Sequence, residues 1–266
     1  MRTIYLKILD FKIKINLLSG LNQGPTKIAA IKQLEKQLET YLKPFISPIE
    51  FKKCDFIIDI DSDYTELDTT TIQNGQNIYM LMYKHISKNK IKTFYQIGIY
   101  QFGSIFQGIL IDLLSKSSGF NMHCSAVLDN SSIILFMGRS GAGKSTISNL
   151  LNENYPKVAD DISLIKKTGS NFFFYEGPEI SKNWANRTAN KYHIRCIYFL
   201  KKANKSWSEK ISKEKALKIL LESTRIKNRA TIKSVMEFTD QFNEFYNLYF
   251  TKNKQEILKF MENTKK

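Results

Sequence analysis

Eight consecutive residues, Gly138-Arg139-Ser140-Gly141-Ala142-Gly143-Lys144-Ser145, restrict this chain more than any other stretch. They satisfy the pattern G-x-x-x-x-G-K-[ST] in full. An apolar run, Ser132 to Met137, leads straight into them, and a helical pattern carried by Ile147, Leu150 and Leu151 follows. With glycine at about 7% of residues, a chance match in a chain of this length is on the order of one in a hundred. The chemistry explains each position. Glycines let the backbone curl so that successive N–H groups point at phosphate oxygens, and the start of a helix adds partial positive charge. Lys144 can reach the β- and γ-phosphates, and the Ser145 hydroxyl can meet Mg²⁺. Gly138 through Thr146 are therefore the expected binding loop for ATP and Mg²⁺.

The loop does not by itself name a reaction. A GTPase needs N-K-x-D to read guanine, and the Asn-Lys pairs here continue as NKI, NKY, NKS and NKQ. A transport ATPase needs an LSGGQ-like signature downstream, whereas the nearest string, Leu18 to Gln23, lies upstream and is imperfect. Both classes are disfavoured. A second feature points to group transfer. Val158-Ala159-Asp160-Asp161 closes an expected strand shortly after the loop's helix. Two adjacent aspartates inside a sheet would be costly, but at a strand's carboxyl end both can reach a phosphate site. One can hold Mg²⁺ while the other accepts the proton of an attacking hydroxyl.

The order His123-Cys124-Ser125-Ala126-Val127, then GRSGAGKST, then VADDISLI resembles the catalytic core of HPr kinase/phosphorylase-like proteins, the bacterial serine kinases. The likeness runs from His123 to about Ile165 and continues loosely to about Ser223. It implies an α/β fold with a C-terminal P-loop domain of the HPr kinase and phosphoenolpyruvate carboxykinase type. It implies Asp160 as general base, Asp161 beside it near Mg²⁺, and His123 next to the reacting phosphate. A carboxylate from a later strand is a further implied metal ligand, with Glu176 and Glu179 as candidates and Glu179 preferred. The family's glycine-rich signature around these two is not recognisable here. The first half of the chain differs from the N-terminal domain of the HPr enzyme and resembles the accessory half of shorter relatives found with peptide-modification genes. The expected activity is therefore ATP-dependent phosphorylation of a hydroxyl, a serine for preference, on a peptide or protein. The alternatives are a small-molecule kinase of the free-serine type and a nucleotide-binding module that contacts nucleic acid.

Composition narrows the setting. Apolar residues are 42% of 266, enough to bury a sizeable core. No window approaches the ~18 uncharged apolar residues of a membrane span. MRTIYLKILDFKIKI alternates polar and apolar residues, so it is expected to be a strand and not a leader peptide. Three scattered cysteines, Cys54, Cys124 and Cys196, suit a reducing cytoplasm and give no metal or disulfide framework. The net charge is +15, and from Lys182 to Lys233 fifteen Lys and Arg face three acids, 15 − 3 = +12. Either that tract meets an acidic substrate segment or it is a solvated face. Nucleic acid is not favoured, because no RNP-type aromatic–glycine string is present. Self-association is left open.

The expected order begins with an accessory α+β domain, 1–118. Thr26 should cap a helix that ends at Pro44 and Pro48. FKKCDFIIDID, NIYMLMYKHI and KTFYQIGIYQF should be strands. Phe102, Ile105, Phe106, Ile109, Leu110, Leu113 and Leu114 keep helical spacing, with Gly119 as the expected C-cap. The P-loop domain should fill 119–266, with strands at KVADDISLI, NFFFYEG and RCIYFLKK and a helix at KEKALKILLES that starts at Ser212.

Overall fold

The computed structural model describes residues 2–18, 24–62, 69–74, 77–178 and 189–264, the side chains of 69–74 and 77–81 excepted. It forms two compact units, Met1–Leu113 with Pro178–Ala189 and Leu114–Gly177 with Asn190–Lys266. Both are mixed α/β, and each has its own sheet.

In the first unit, β1 (Arg2–Ile8) and β2 (Phe11–Leu18) pair antiparallel, where one continuous strand was expected. The turn uses Leu9 at φ 56°, a conformation uncommon for leucine, so no glycine or asparagine marks it in the sequence. Helix α1 (Pro25–Leu42) is capped by Gly24 and opens on Pro25, not on a Thr26 cap. Proline suits that first position because its missing N–H would lack a helical partner anyway. Leu34, Leu38 and Leu42 form the buried stripe. A single 3₁₀ turn, Lys43–Phe45, ends the helix at Pro44. Strands β3 (Phe56–Asp61), β4 (Thr69–Asn74), β5 (Asn77–Ser87) and β6 (Lys90–Phe94) complete a sheet ordered β1-β2-β3-β6-β5-β4, with β3 parallel to both β2 and β6.

The run KTFYQIGIYQF is strand only to Phe94, and helix α2 already begins at Ile99 and runs to Ser115. Gly98 closes the first turn, because its carbonyl accepts Phe102 N–H at 3.0 Å and its N–H donates to Gln101 Oε1 at 3.2 Å. Gly119 is not the C-cap but the first residue of the next strand. A Cβ there would lie 2.6 Å from Leu114 Cδ2 and 2.8 Å from the Ile165 carbonyl oxygen, so close packing requires the glycine.

The second unit contains β7 (Gly119–Met122), β8 (Cys124–Asp129), β9 (Ser132–Met137), α3 (Lys144–Leu151), β10 (Lys157–Ala159), β11 (Ser163–Thr168), β12 (Asn171–Tyr175), β13 (Lys191–Lys202), β14 (Trp207–Lys210), α4 (Lys213–Ser223), α5 (Arg229–Gln241), β15 (Phe245–Phe250) and α6 (Lys254–Asn263). The long strand β13 joins two halves of the sheet. Its first residues pair with β12, and its remainder lies parallel between β9 and β15. Beyond β9 come β8 and then β10, both antiparallel to their neighbours, and β14 borders β15.

Alternate residues of the parallel strands feed two cores. Phe136, Tyr198, Leu200, Leu248 and Phe250 pack with Ile147 and Leu151 of α3 and Ile257 and Met261 of α6. Leu135, Met137, Ile197, Phe199 and Phe245 face Ala216 and Leu220 of α4 and Val235 and Phe238 of α5. Burying one such large side chain stabilises by about 1.5–3 kcal/mol, and α3, α5 and α6 add two each while α4 adds Leu220 with the smaller Ala216. Ser212 caps α4 as its sequence implied, accepting a hydrogen bond from Lys215 N. Among the described residues no helix is long and apolar enough to cross a membrane.

Candidate functional site

The topology of the second sheet places several strand ends on one edge. Strands β9, β13 and β15 are parallel, so their carboxyl ends share it. Strand β8 is antiparallel to β9, which brings its beginning, at His123, to the same edge. Strand β10 is antiparallel to β8 and so ends there, at Ala159, immediately before Asp160 and Asp161. Residues 123, 138–145 and 160–161 are thus gathered by register alone, although up to 38 positions separate them in sequence (161 − 123).

The glycine loop spans the gap between β9 and α3. Gly141 and Gly143 have φ of +77° and +103°, the region that favours glycine. Gly143 is the N-cap of α3, and no side chain caps that helix start, whereas Ser212, Asn228 and Asn253 cap α4, α5 and α6. The first amides of a helix have no partner within it, so an uncapped start is a place for an anion. The loop backbone is packed closely. A Cβ at Gly138 would stand 2.7 Å from the Ala142 methyl, and one at Gly143 would stand 2.7 Å from Phe250 Cζ.

Lys144 is buried, and its ammonium folds back on the loop, donating to the Gly138 carbonyl at 2.9 Å and the Arg139 carbonyl at 3.4 Å. These carbonyls hold the charge within the loop where a phosphate would take it up. Ser145 is exposed at the second position of α3, and Thr146 follows half-buried. Below them the fully buried Ser125 hydroxyl donates to the Lys144 carbonyl at 2.9 Å and ties β8 to the helix start. Ser125 lies within the His123-to-Val127 motif, but a hydroxyl serving a backbone carbonyl leaves no signature in spacing that would assign it this role.

The two aspartates have separate surroundings. The Asp160 carboxylate is 2% exposed and lies 2.8 Å from the Lys157 ammonium. Lys157 also donates to Asn149 Oδ1 on α3 at 2.9 Å. Asp161 is 66% exposed, and its Oδ1 is 3.9 Å from His123 Nε2. The His123 side chain is 55% exposed, and its backbone N–H donates to the Ser223 carbonyl at the end of α4, 3.1 Å away. Partial burial and then the nearby Lys144 charge hold the His123 imidazole below its ordinary pKa, with Asp161 pulling the other way. Burial and the Lys144 charge both favour the neutral form of the His123 imidazole.

A cleft of ≈ 650 Å³ opens beside the loop, its wall including His123, Arg139, Phe199, Lys201 and Ser223. Lys201 and Ser223 were not anticipated, because an exposed lysine at a strand end and a serine closing a helix look ordinary in sequence. Glu176, the other acid considered for a metal, is buried and accepts the Tyr192 hydroxyl at 2.8 Å. Glu179 lies outside the described residues. Among the described residues no three His, Cys, Asp or Glu side chains gather into a metal cluster. The exposed Ser145 hydroxyl and Asp161 carboxylate are hard oxygen donors of the kind Mg²⁺ prefers. Cys124 and Cys196 are buried, and burial pushes the Cys196 thiol up to about 12, which makes it inert.

No family model matches the chain. No curated protein matches it either. Among solved structures, the Hpr(Ser) kinase/phosphatase from Coxiella burnetii is similar over 55% of this chain and 95% of its own, with 14% identity and a TM-score of 0.32. A likeness at that level carries no argument, so the site is judged by its own geometry.

Proposed function

We propose that this protein transfers the γ-phosphoryl group of ATP to a hydroxyl, a serine on a peptide or protein. The observation that carries the reading is the shared sheet edge. An uncapped helix start wrapped by left-handed glycines sits beside a cleft whose wall includes a histidine next to an exposed carboxylate. The loop amides and Lys144 would hold the phosphates, and positioning with electrostatic stabilisation would supply most of the rate, since phosphoryl transfer asks for little covalent help. Mg²⁺ would enter with the nucleotide and neutralise phosphate charge, with the Ser145 hydroxyl offering an oxygen ligand.

The resemblance to the HPr kinase/phosphorylase-like proteins implied Asp160 as proton acceptor. Its burial against Lys157 favours another division of labour. Asp161 would accept the proton of the acceptor hydroxyl and pass it to the His123 imidazole beside it, while Asp160 anchors the turn through Lys157 to α3. Arg225 to Asn228, in the exposed connection between α4 and α5, and Arg229 at the start of α5 form a basic stretch that begins two residues after Ser223 of the cleft wall and supports an acidic substrate segment. Incubating the protein with labelled ATP, Mg²⁺ and acidic serine peptides should give phosphopeptide, and Lys144→Ala should not. Transfer to free serine alone would change the substrate class, and RNA binding without any transfer would defeat the kinase reading.

A further inference from the structure

The sheet edge that bears the glycine loop is divided by it. On one flank stand the polar groups, His123 at the start of β8 and Asp161 after β10. On the other flank the strands β13, β15 and β14 carry Lys201, Tyr249 and Trp207 in direct register, Lys201 opposite Tyr249 and Tyr249 opposite Trp207. Directly opposed residues share a face of the sheet. It is the face of Phe199, two residues before Lys201, and both Phe199 and Lys201 line the cleft. The row therefore continues the cleft wall sideways.

The last two members form a ready surface. The Trp207 and Tyr249 rings are stacked at 4.0 Å with 6° between their planes, and Trp207 is 46% exposed. The Tyr249 ring is tied along the strands, because Asn247 Nδ2 and the Tyr249 hydroxyl both donate to Glu209, at 2.9 and 3.0 Å. An exposed tryptophan stacked on a ring tied in this way is a flat apolar face with a fixed orientation.

We propose that the Trp207–Tyr249 stack holds the base of the nucleotide whose phosphates occupy the glycine loop, with Lys201 lying between. The inference rests on the reading of that loop as a phosphate site. Two arguments support it. The flank with Asp161 and His123 is polar and belongs to the transferred phosphate, which leaves the aromatic flank for the base. The span also fits. From β9, which leads into the loop, to β14 there are three interstrand steps, about 14 Å, the scale of an extended nucleoside triphosphate. Stacking tolerates any base, so the platform would supply affinity for nucleotides over bare polyphosphate.

The chain has two tryptophans, Trp184 and Trp207, so a Trp184→Phe background leaves Trp207 as the single reporter. Titrating ATP with Mg²⁺ should quench its fluorescence, whereas inorganic tripolyphosphate should bind by calorimetry and leave the emission unchanged. Trp207→Ala should weaken ATP about tenfold or more and leave tripolyphosphate affinity as it was, and Trp207→Phe should restore most of the loss. Unchanged ATP affinity in Trp207→Ala, with tripolyphosphate still bound, overturns the proposal and reduces the pair to a strand-edge contact, the loop reading standing. Equal loss of both ligands in Trp207→Ala and Trp207→Phe overturns it as well, since the residue would then be structural. Failure of the parent protein to bind either ligand removes the loop reading, and this proposal falls with it.

Discussion

The two sheets manage their charged residues in opposite ways. In the first unit, acids and lysines within the strands are joined to one another. Asp59 is 2.7 Å from Lys90 and accepts Asn16 Nδ2 at 2.7 Å, and Asp61 is 2.7 Å from Lys92. In the second unit, the charged groups that matter stand beyond the strand ends, around a glycine loop and a cleft. The first arrangement satisfies polar groups that the sheet would otherwise strand, and so serves stability. The second keeps charge at an edge where a ligand can complete it. Substitutions should therefore separate, those of the buried, paired acids changing stability and those of the exposed groups at the edge changing turnover.

The largest effect should come from Lys144→Ala, which removes the loop ammonium expected to follow a transferred phosphate. Turnover should disappear while the melting temperature stays close to the parent, because the partners lost are loop carbonyls. Phosphotransfer assays with calorimetric melting check both halves, and retained turnover would break the comparison.

Next come the aspartates. Asp161→Asn should lower turnover by about 10²–10⁴-fold at unchanged stability, as loss of a proton acceptor does. Asp160→Ala should cost about 3–5 kcal/mol in denaturant unfolding, because it leaves the buried Lys157 ammonium without its carboxylate. The control in the other sheet is Asp59→Ala. It should cost about 1–3 kcal/mol by stranding Asn16, with turnover untouched. Loss of turnover in Asp59→Ala, or none in Asp161→Asn, would dissolve the distinction.

A smaller, sharper effect is expected at His123. Its folded pKa lies below the ordinary imidazole value, so between the two the unfolded chain binds more protons than the folded one. Stability should therefore fall as pH drops through the ordinary value, and the loss should be complete below the lowered folded value. Turnover that needs neutral imidazole should persist to the lower pH. In NMR titrations Lys144→Ala should move the His123 pKa up, and Asp161→Asn should move it further down. Opposite movements would contradict the geometry of the cleft.

The least effect is expected from reversing Arg225, Lys227 and Arg229 to Glu. Exposed charges act mainly on encounter and are screened beyond ~8 Å at physiological salt. KM for an acidic peptide should rise and KM for ATP should change little, with kcat nearly constant. A flat peptide KM would make the stretch a solvated face.

The sequence was most legible where backbone geometry demanded particular residues. The loop glycines, the helix stripe from Phe102 to Leu114 and the Ser212 cap each leave a chemical mark. The turn at Leu9 leaves none, so the first hairpin read as one strand. Helix α5 was not expected, because Val235 and Phe238 are its large buried apolar residues among polar neighbours and only tertiary packing fixes them. At the site, the residue types were readable but their orientation was not. Neighbouring aspartates on a leaving strand are equivalent in sequence, and what separates Asp160 from Asp161 is Lys157, positioned by β10 and Asn149.

One detail of the glycine loop bears on how this sequence can drift. Residues 138 and 142 together have room for a single methyl group, now carried by Ala142. The methyl can change places: alanine at 138 is tolerable once 142 becomes glycine, and neither change alone describes that path. At 143 no such exchange is open, because the backbone sits at φ +103° and the Phe250 ring occupies the space. Descendants of this sequence should vary at 138 and 142 in concert, hold 143 fixed, and keep at 250 a side chain shaped to a hydrogen atom 107 residues earlier (250 − 143).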